Sequence, residues 1–135
     1  MKKIVQFIGV FFIAITALTS CSSDDSSSNN NVDDNLLVDK WWYSADGTVS
    51  DVYFHSNGDY EQNFVWNGTN IGSTGNWEWI NEDAGTIHLY NLVGNAVTEA
   101  QIKVSGLTAH TVSLKQSVDE GETWSPAADF VDTDN

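Results

Sequence analysis

From residue 36 onward, short apolar and aromatic runs alternate with turn residues, and no stretch shows helical periodicity over a useful length. The pattern predicts an all-β domain of eight antiparallel strands in sequential order. The predicted strands cover residues 36–43, 48–54, 59–66, 75–80, 86–90, 96–105, 111–118 and 122–126, with a ninth short piece around residue 130.

The register of one hairpin follows from the segment 52–60. A two-residue turn would place Phe54 opposite Glu61, and one face would then carry both an apolar and a charged side chain. A three-residue loop with Gly58 in the left-handed region places Phe54 opposite Tyr60 and keeps the apolar residues together. The sequence therefore predicts the three-residue loop.

The segment 117–124 suggests a second hairpin of the same kind, with Gly121 in the left-handed region and Asp119 accepting N–H bonds inside the turn. This register places Trp124 opposite Gln116. The segment also resembles the Asp-box of sialidases and related β-propellers, where the box is repeated and is a folding device away from the catalytic centre. A single copy predicts a hairpin and not a propeller.

The N-terminus has the pattern of an export signal, with two lysines, an apolar run over residues 4–18 and a small residue before Cys21. The run is shorter than the roughly 20 apolar residues of a membrane-spanning helix. Residues 18–21, Leu-Thr-Ser-Cys, resemble the bacterial lipobox. That resemblance implies that residues 1–20 are a lipoprotein signal peptide and that a lipid on Cys21 anchors the protein to a membrane.

Residues 21–35 form the lipidated cysteine and a disordered acidic linker, because a polar tract with so few apolar residues cannot bury enough surface to fold. The barrel domain then spans residues 36–131. Asp24 and Asp25 resemble the acidic surface-export signal of Bacteroidetes lipoproteins; alternatively, they only keep the linker extended. The expected location is the cell envelope, at the outer membrane, with periplasmic or surface orientation left open.

The net charge of the chain is −14, with 19 acidic residues and no arginine. Such a surface repels phosphate backbones, and nucleic acid is therefore excluded as a partner. The chain has one cysteine, so no disulfide can stabilise the domain.

Five segments of the domain, residues 37–41, 52–60, 75–79, 87–89 and 104–114, carry a resemblance to a known family. They resemble the lipocalin-like domains of small Bacteroidetes lipoproteins. Asp39 stands where that family usually carries glycine before its first tryptophan. The resemblance implies a small up-and-down antiparallel β-barrel of about eight strands.

No catalytic or metal site is predicted. His55, His88 and His110 do not share a strand face at ligand spacing, so no metal is expected. Glu61 and Glu78 alternate with aromatic residues assigned to the interior and should point to water. We therefore expect no enzymatic activity and no cofactor.

Two functions remain open: a lipocalin-like binding domain for a small apolar or amphipathic ligand, or a surface glycan-binding or accessory protein-interaction module with no interior ligand. Assigning Trp41 to the interior also turns Tyr43 inward. Tyr43, Trp66, Trp77 and Trp124 would then form a collar of rings inside the mouth opposite the linker. The alternative is that these rings only fill a narrow barrel. The oligomeric state is left open.

Overall fold

A computed structural model gives the structure of the protein and describes residues 33–134. Eight strands form a closed antiparallel barrel in sequential order, and β8 pairs back with β1. The predicted all-β, up-and-down barrel is confirmed; the signal peptide, Cys21 and residues 21–32 of the linker lie outside the described residues. The elements are α1 (Asp34–Leu37), β1 (Trp41–Ser44), β2 (Asp51–Phe54), β3 (Asp59–Trp66), β4 (Thr69–Asn81), β5 (Thr86–Val93), β6 (Ala100–Ser105), β7 (Thr111–Ser117) and β8 (Ala128–Val131).

The predicted bounds of β3 are confirmed, whereas β4 begins at Thr69, earlier than predicted. Asn67 and Gly68 both take positive φ, at 52° and 77°, and form a tight two-residue turn. Paired left-handed residues match the twist of the flanking strands, so β4 pairs with β3 directly after the turn.

The first predicted strand begins only at Trp41, because Asp34–Leu37 form helix α1 and Asp39 then takes a left-handed φ of 63°. The prediction of disordered linker at residues 34–35 and of strand at residues 36–37 is therefore wrong. The turn at Asp39 determines which side chains of β1 point inward. Trp42 points inward and is fully buried, while Trp41 and Tyr43 point outward. The prediction that Trp41 points inward is wrong. The left-handed φ of Asp39 also explains why a glycine would suit this position.

The predicted loop between β2 and β3 is confirmed. Phe54 lies opposite Tyr60, and the N–H of His55 donates to the carbonyl of Asp59 at 2.9 Å. Gly58 has a φ of 98°, as the three-residue loop requires.

The eighth predicted strand, at residues 122–126, is wrong: these residues form no strand, and β8 is the short piece around residue 130. Gly121 has the expected positive φ of 87°, but Glu120 is also left-handed, at 63°. The turn is therefore longer than predicted. Ser125, and not Trp124, donates its N–H to the carbonyl of Gln116, at 2.8 Å.

Hydrogen bonds to Asp119 organise the loop after β7. The Asp119 carboxylate accepts from the hydroxyl and the N–H of Thr123 and from the hydroxyl of Ser117. These bonds, those from Thr123 foremost, lower the pKa of Asp119 to about 2. The Asp-box segment is thus a self-contained loop on this barrel.

Side chains fill the barrel interior, which is expected of a narrow eight-stranded barrel. At one end, here the α1 end, Leu37 is fully buried and its carbonyl accepts the indole N–H of Trp42 at 2.8 Å. The loops after β2, β4 and β6 lie at the same end; the opposite end is the hairpin end. The buried apolar residues are Leu37, Trp42, Val49, Val52, Phe54, Tyr60, Trp77, Ile87, Leu89, Leu92, Ala100, Ile102, Val104, Val112, Leu114 and Phe130.

A bulge marks where β4 and β5 separate. Asn91 and Leu92 of β5 both face Gly75 of β4, and Asn91 is left-handed with a φ of 54°. A Cβ at Gly75 would lie 2.7 Å from Leu92 Cδ2 and 2.9 Å from the carbonyl oxygen of Tyr90. Gly75 is therefore required by this close approach, and bulges of this kind bend a strand out of its sheet.

Candidate functional site

Part of the β3–β4 hairpin extends beyond its neighbouring strands. β2 pairs with β3 only as far as Asn63, and β5 pairs with β4 only from Thr74 onward. Residues 64–71 therefore form a two-stranded projection at the hairpin end of the barrel, which we call the projecting hairpin.

One face of the projecting hairpin is aromatic and exposed. The inward side of β3, buried at Tyr60, continues through Phe64 to Trp66. The Phe64 and Trp66 rings are stacked, with centroids 6.2 Å apart, and Ile71 lies opposite Phe64. Trp66 is 60% exposed and Ile71 is 48% exposed. We call Phe64, Trp66 and Ile71 the aromatic face.

A chain of neutral polar groups lies at the base of the aromatic face. The amide of Gln62 accepts from the hydroxyl of Tyr60 at 3.0 Å and donates to Asn95 Oδ1 at 3.3 Å. Asn95 Nδ2 donates to the hydroxyl of Ser73, which donates to the carbonyl of Val93 at 2.7 Å. Burial raises the pKa of Tyr60 well above its ordinary value, so its hydroxyl remains a neutral donor.

The region carries no ionisable charge. Residues 62–77 contain no Asp, Glu, Lys, Arg or His, in a chain with 19 acidic residues. Besides the indole N–H groups of its tryptophans, the side chains that can form hydrogen bonds here are asparagine, glutamine, serine and threonine. The projecting hairpin is thus a neutral surface on a strongly acidic protein.

The structure places only one of the four predicted collar residues in this region. Trp66 lies at the tip of the projecting hairpin, whereas Trp77 is buried at the α1 end. The indole N–H of Trp77 donates to the carbonyl of His55 at 2.7 Å, and its backbone N–H donates to the carbonyl of Gly58 at 2.8 Å. The long β4 separates the two tryptophans.

Tyr43 and Trp124 lie outside the barrel. Tyr43 points outward from β1, where its backbone pairs with Val131. Trp124 follows the loop after β7, with the Nζ of Lys103 5.7 Å from its ring centroid on the outer side of β6. The expectation of one collar inside the mouth is therefore wrong. The interruption at Asp39 and the longer loop after β7 turn these two rings outward.

Several residues of the candidate site were not predicted as such. The Asn67-Gly68 pair is a strong hairpin signal and would have placed Phe64 opposite Ile71. No local pattern points to Asn95, because it reaches Gln62 across the barrel mouth from the loop after β5.

Glu61 and Glu78 both point outward, as predicted, and each contacts a histidine. Glu61 lies 2.6 Å from His55 Nε2, and Glu78 lies 3.2 Å from Nδ1 of His88. Nε2 of His88 lies 2.9 Å from Glu99. The two carboxylates lie at opposite nitrogens of the His88 ring, an arrangement that suits an imidazolium because carboxylates only accept hydrogen bonds.

The environment of His88 raises its pKa. Partial burial lowers the pKa of His88, but the hydrogen bonds with Glu99 and Glu78 together outweigh it. Among residues 33–134, no group of three or more His, Cys, Asp or Glu side chains is placed to hold a metal ion.

Comparison of the chain with protein-family models, with curated proteins and with solved structures finds no match. In the part of the chain that the structure describes, no helix is both long and apolar enough to cross a membrane.

Proposed function

We propose that this is a lipid-anchored protein of the cell envelope, held at the outer membrane through Cys21, whose lipocalin-like barrel binds a neutral glycan. The observation that carries the proposal is the exposed Phe64–Trp66 stack on a charge-free hairpin. The binding surface is the aromatic face, and the partly exposed amide of Asn95 at its base supplies hydrogen bonds.

The chemistry of this surface fits a sugar. Aromatic rings offer a flat apolar platform, which matches the C–H face of a pyranose ring. The partly exposed amide of Asn95 carries both donors and an acceptor, as sugar hydroxyls do. An acidic glycan would be repelled by the negative field of the protein, so the neutral class is favoured.

The filled interior favours an external ligand over one held inside the barrel. Trp42, Phe54 and Phe130 are fully buried inside the barrel and fill space that an interior ligand would need. An eight-stranded barrel is just wide enough for such filling.

The two ends of the barrel suit a tethered binding domain. The described chain enters at the α1 end, where the N–H of Asp39 donates to the carbonyl of Phe54 at 2.7 Å. The projecting hairpin lies at the other end. A lipid on Cys21 would then leave the aromatic face directed away from the membrane.

Glycan binding is tested by tryptophan fluorescence of the full chain in detergent, titrated with neutral glucan and mannan oligosaccharides and with polygalacturonate. We expect a saturable change with a neutral oligosaccharide and none with the acidic one. Trp66→Ala should weaken binding at least about tenfold, equivalent to about 1.4 kcal/mol. Trp124→Ala, which removes an outer ring elsewhere, should bind as the parent does.

Two results would contradict the proposal: no response to any neutral oligosaccharide, or equal affinity of the Trp66→Ala variant and its parent. The anchor is tested separately, because Cys21→Ser should move the protein out of the membrane fraction after alkaline washing. Retention of that variant in the membrane would refute the lipid anchor and leave the glycan proposal standing.

A further inference from the structure

The outer edge of β3 is unpaired at Val65. In a two-residue hairpin the residues that flank the turn, here Trp66 and Thr69, exchange hydrogen bonds, and bonded pairs then alternate along the ladder. The N–H and C=O of Val65 therefore point away from β4. β2 ends its pairing at Asn63, so within residues 33–134 no strand meets these two groups.

This edge lacks the usual protection against pairing with another chain. Natural proteins guard exposed edge strands with charged residues, proline, bulges or a covering loop. Here Val65 is 57% exposed between Phe64 and Trp66, and the nearest charged residue along β3 is Glu61. A free apolar edge of this kind favours pairing with another strand.

We propose that the β3 edges of two copies of this chain pair antiparallel about a twofold axis at Val65. Each Val65 would lie opposite its counterpart and exchange two backbone hydrogen bonds with it, which satisfies the symmetry of a closed dimer. The two projecting hairpins would then form one four-stranded sheet.

The charge distribution favours a second copy as the occupant. Two molecules that each carry a net charge of −14 repel one another over most of their surfaces. The charge-free residues 62–77 are where two such copies can meet without placing carboxylates side by side. The same pairing brings two aromatic faces together, because Phe64 and Trp66 share the face opposite to Val65.

Single-cysteine cross-linking of the purified full chain in detergent tests the pairing. Val65→Cys treated with a short bis-maleimide should give mainly covalent dimer, because opposed Cβ atoms in such a pair lie about 5 Å apart. Val118→Cys, at a position that is 60% exposed in the loop after β7, should give little. The parent chain, whose one cysteine is Cys21, controls for any cross-linking that does not involve the introduced thiol.

Equal cross-linking of the Val65→Cys and Val118→Cys variants would overturn the proposal. A cross-link in cells to a different protein, with the purified chain monomeric, would also overturn it and would assign the edge to that protein.

A second pair of variants tests the same interface without a cross-linker. Val65→Lys places like charges opposite each other across the axis, so sedimentation at micromolar concentration should show the mass of one copy. Val118→Lys should sediment as a dimer, like the parent. A parent that sediments as one copy, or a Val65→Lys variant that stays dimeric, would refute the pairing.

The proposed dimer and the proposed glycan site can be tested independently of each other. Val65→Lys leaves the aromatic face intact, so its affinity for a short oligosaccharide should equal that of the parent. Only its binding to a long, multivalent polysaccharide should weaken, since two linked faces bind such a chain with avidity.

Discussion

The two ends of the barrel use the same residue type in opposite ways. At the α1 end Trp42 and Trp77 are buried, and each indole N–H donates to a backbone carbonyl. At the hairpin end Trp66 is mostly exposed, and its ring stacks on that of Phe64 on the same strand. The comparison shows that backbone geometry at each position, and not the abundance of aromatic residues, decides which rings are core and which are surface.

The largest expected effect separates these two groups of rings. Trp42→Ala should lower the free energy of unfolding by about 3–5 kcal/mol, because it opens a large cavity and leaves the carbonyl of Leu37 without its donor. Trp66→Ala should change it by about 0.5 kcal/mol or less, as is usual for exposed positions. Urea unfolding of both variants measures the difference, and similar losses would mean that the hairpin end is packed as tightly as the α1 end.

A pair of glycines on β4 tests where the projecting hairpin becomes independent of the barrel. Gly75→Ala should cost about 1–3 kcal/mol, because the added methyl group meets Leu92 and the carbonyl of Tyr90. Gly72→Ala should have little effect, since its Cβ would lie 3.8 Å from the nearest atom, the carbonyl oxygen of Gln62. Thermal unfolding of the two variants measures this difference. A larger loss of stability in Gly72→Ala than in Gly75→Ala would show that the boundary between the barrel and the projecting hairpin lies elsewhere.

The smallest expected effect concerns His88, which lies on the outer side of β5 between the two ends of the barrel. The pKa of His88 is raised in the folded protein, so its contribution is fully present below the unfolded pKa of about 6.5 and is lost as pH rises through the folded value. The free energy of unfolding should therefore fall by about 0.5 kcal/mol between pH 5.5 and 8.5 beyond the change seen in His88→Gln. If the free energy of unfolding depended on pH identically in the parent and in His88→Gln, this prediction would be wrong.

The sequence predicts those parts of the fold that depend on local pattern. The bounds of β3, the register of Phe54 with Tyr60 and the positive φ of Gly58 all follow from alternation and turn chemistry. The outward direction of Glu61 follows from the same alternation.

Three predictions failed near two left-handed residues, Asp39 and Glu120: the inward direction of Trp41, the three-residue loop after β7, and the strand at residues 122–126. Asp39 in the left-handed region, after helix α1, sets the phase of β1 so that Trp42 is buried, whereas the prediction assigned Trp41 to the interior. Glu120, also left-handed, lengthens the loop after β7 and moves the last strand. Non-glycine residues seldom take this conformation, so nothing in the pattern announces it.

The candidate site was predicted only at Trp66. Its other members depend on how far the β3–β4 ladder runs past its neighbours and on contacts across the barrel mouth. These are properties of the closed barrel and not of any single segment.

The seam between β1 and β8 has a consequence for how the protein is made. Only two residue pairs join these strands, Tyr43 with Val131 and Ser44 with Phe130, and they connect the first strand to the last. Such long-range pairing carries a large loop-closure entropy and forms late in folding. A chain delivered from its N-terminus cannot close the barrel until residues 128–131 have emerged. If the chain is exported unfolded, as the proposed lipid anchor implies, the barrel can therefore close only after residues 128–131 have crossed the membrane.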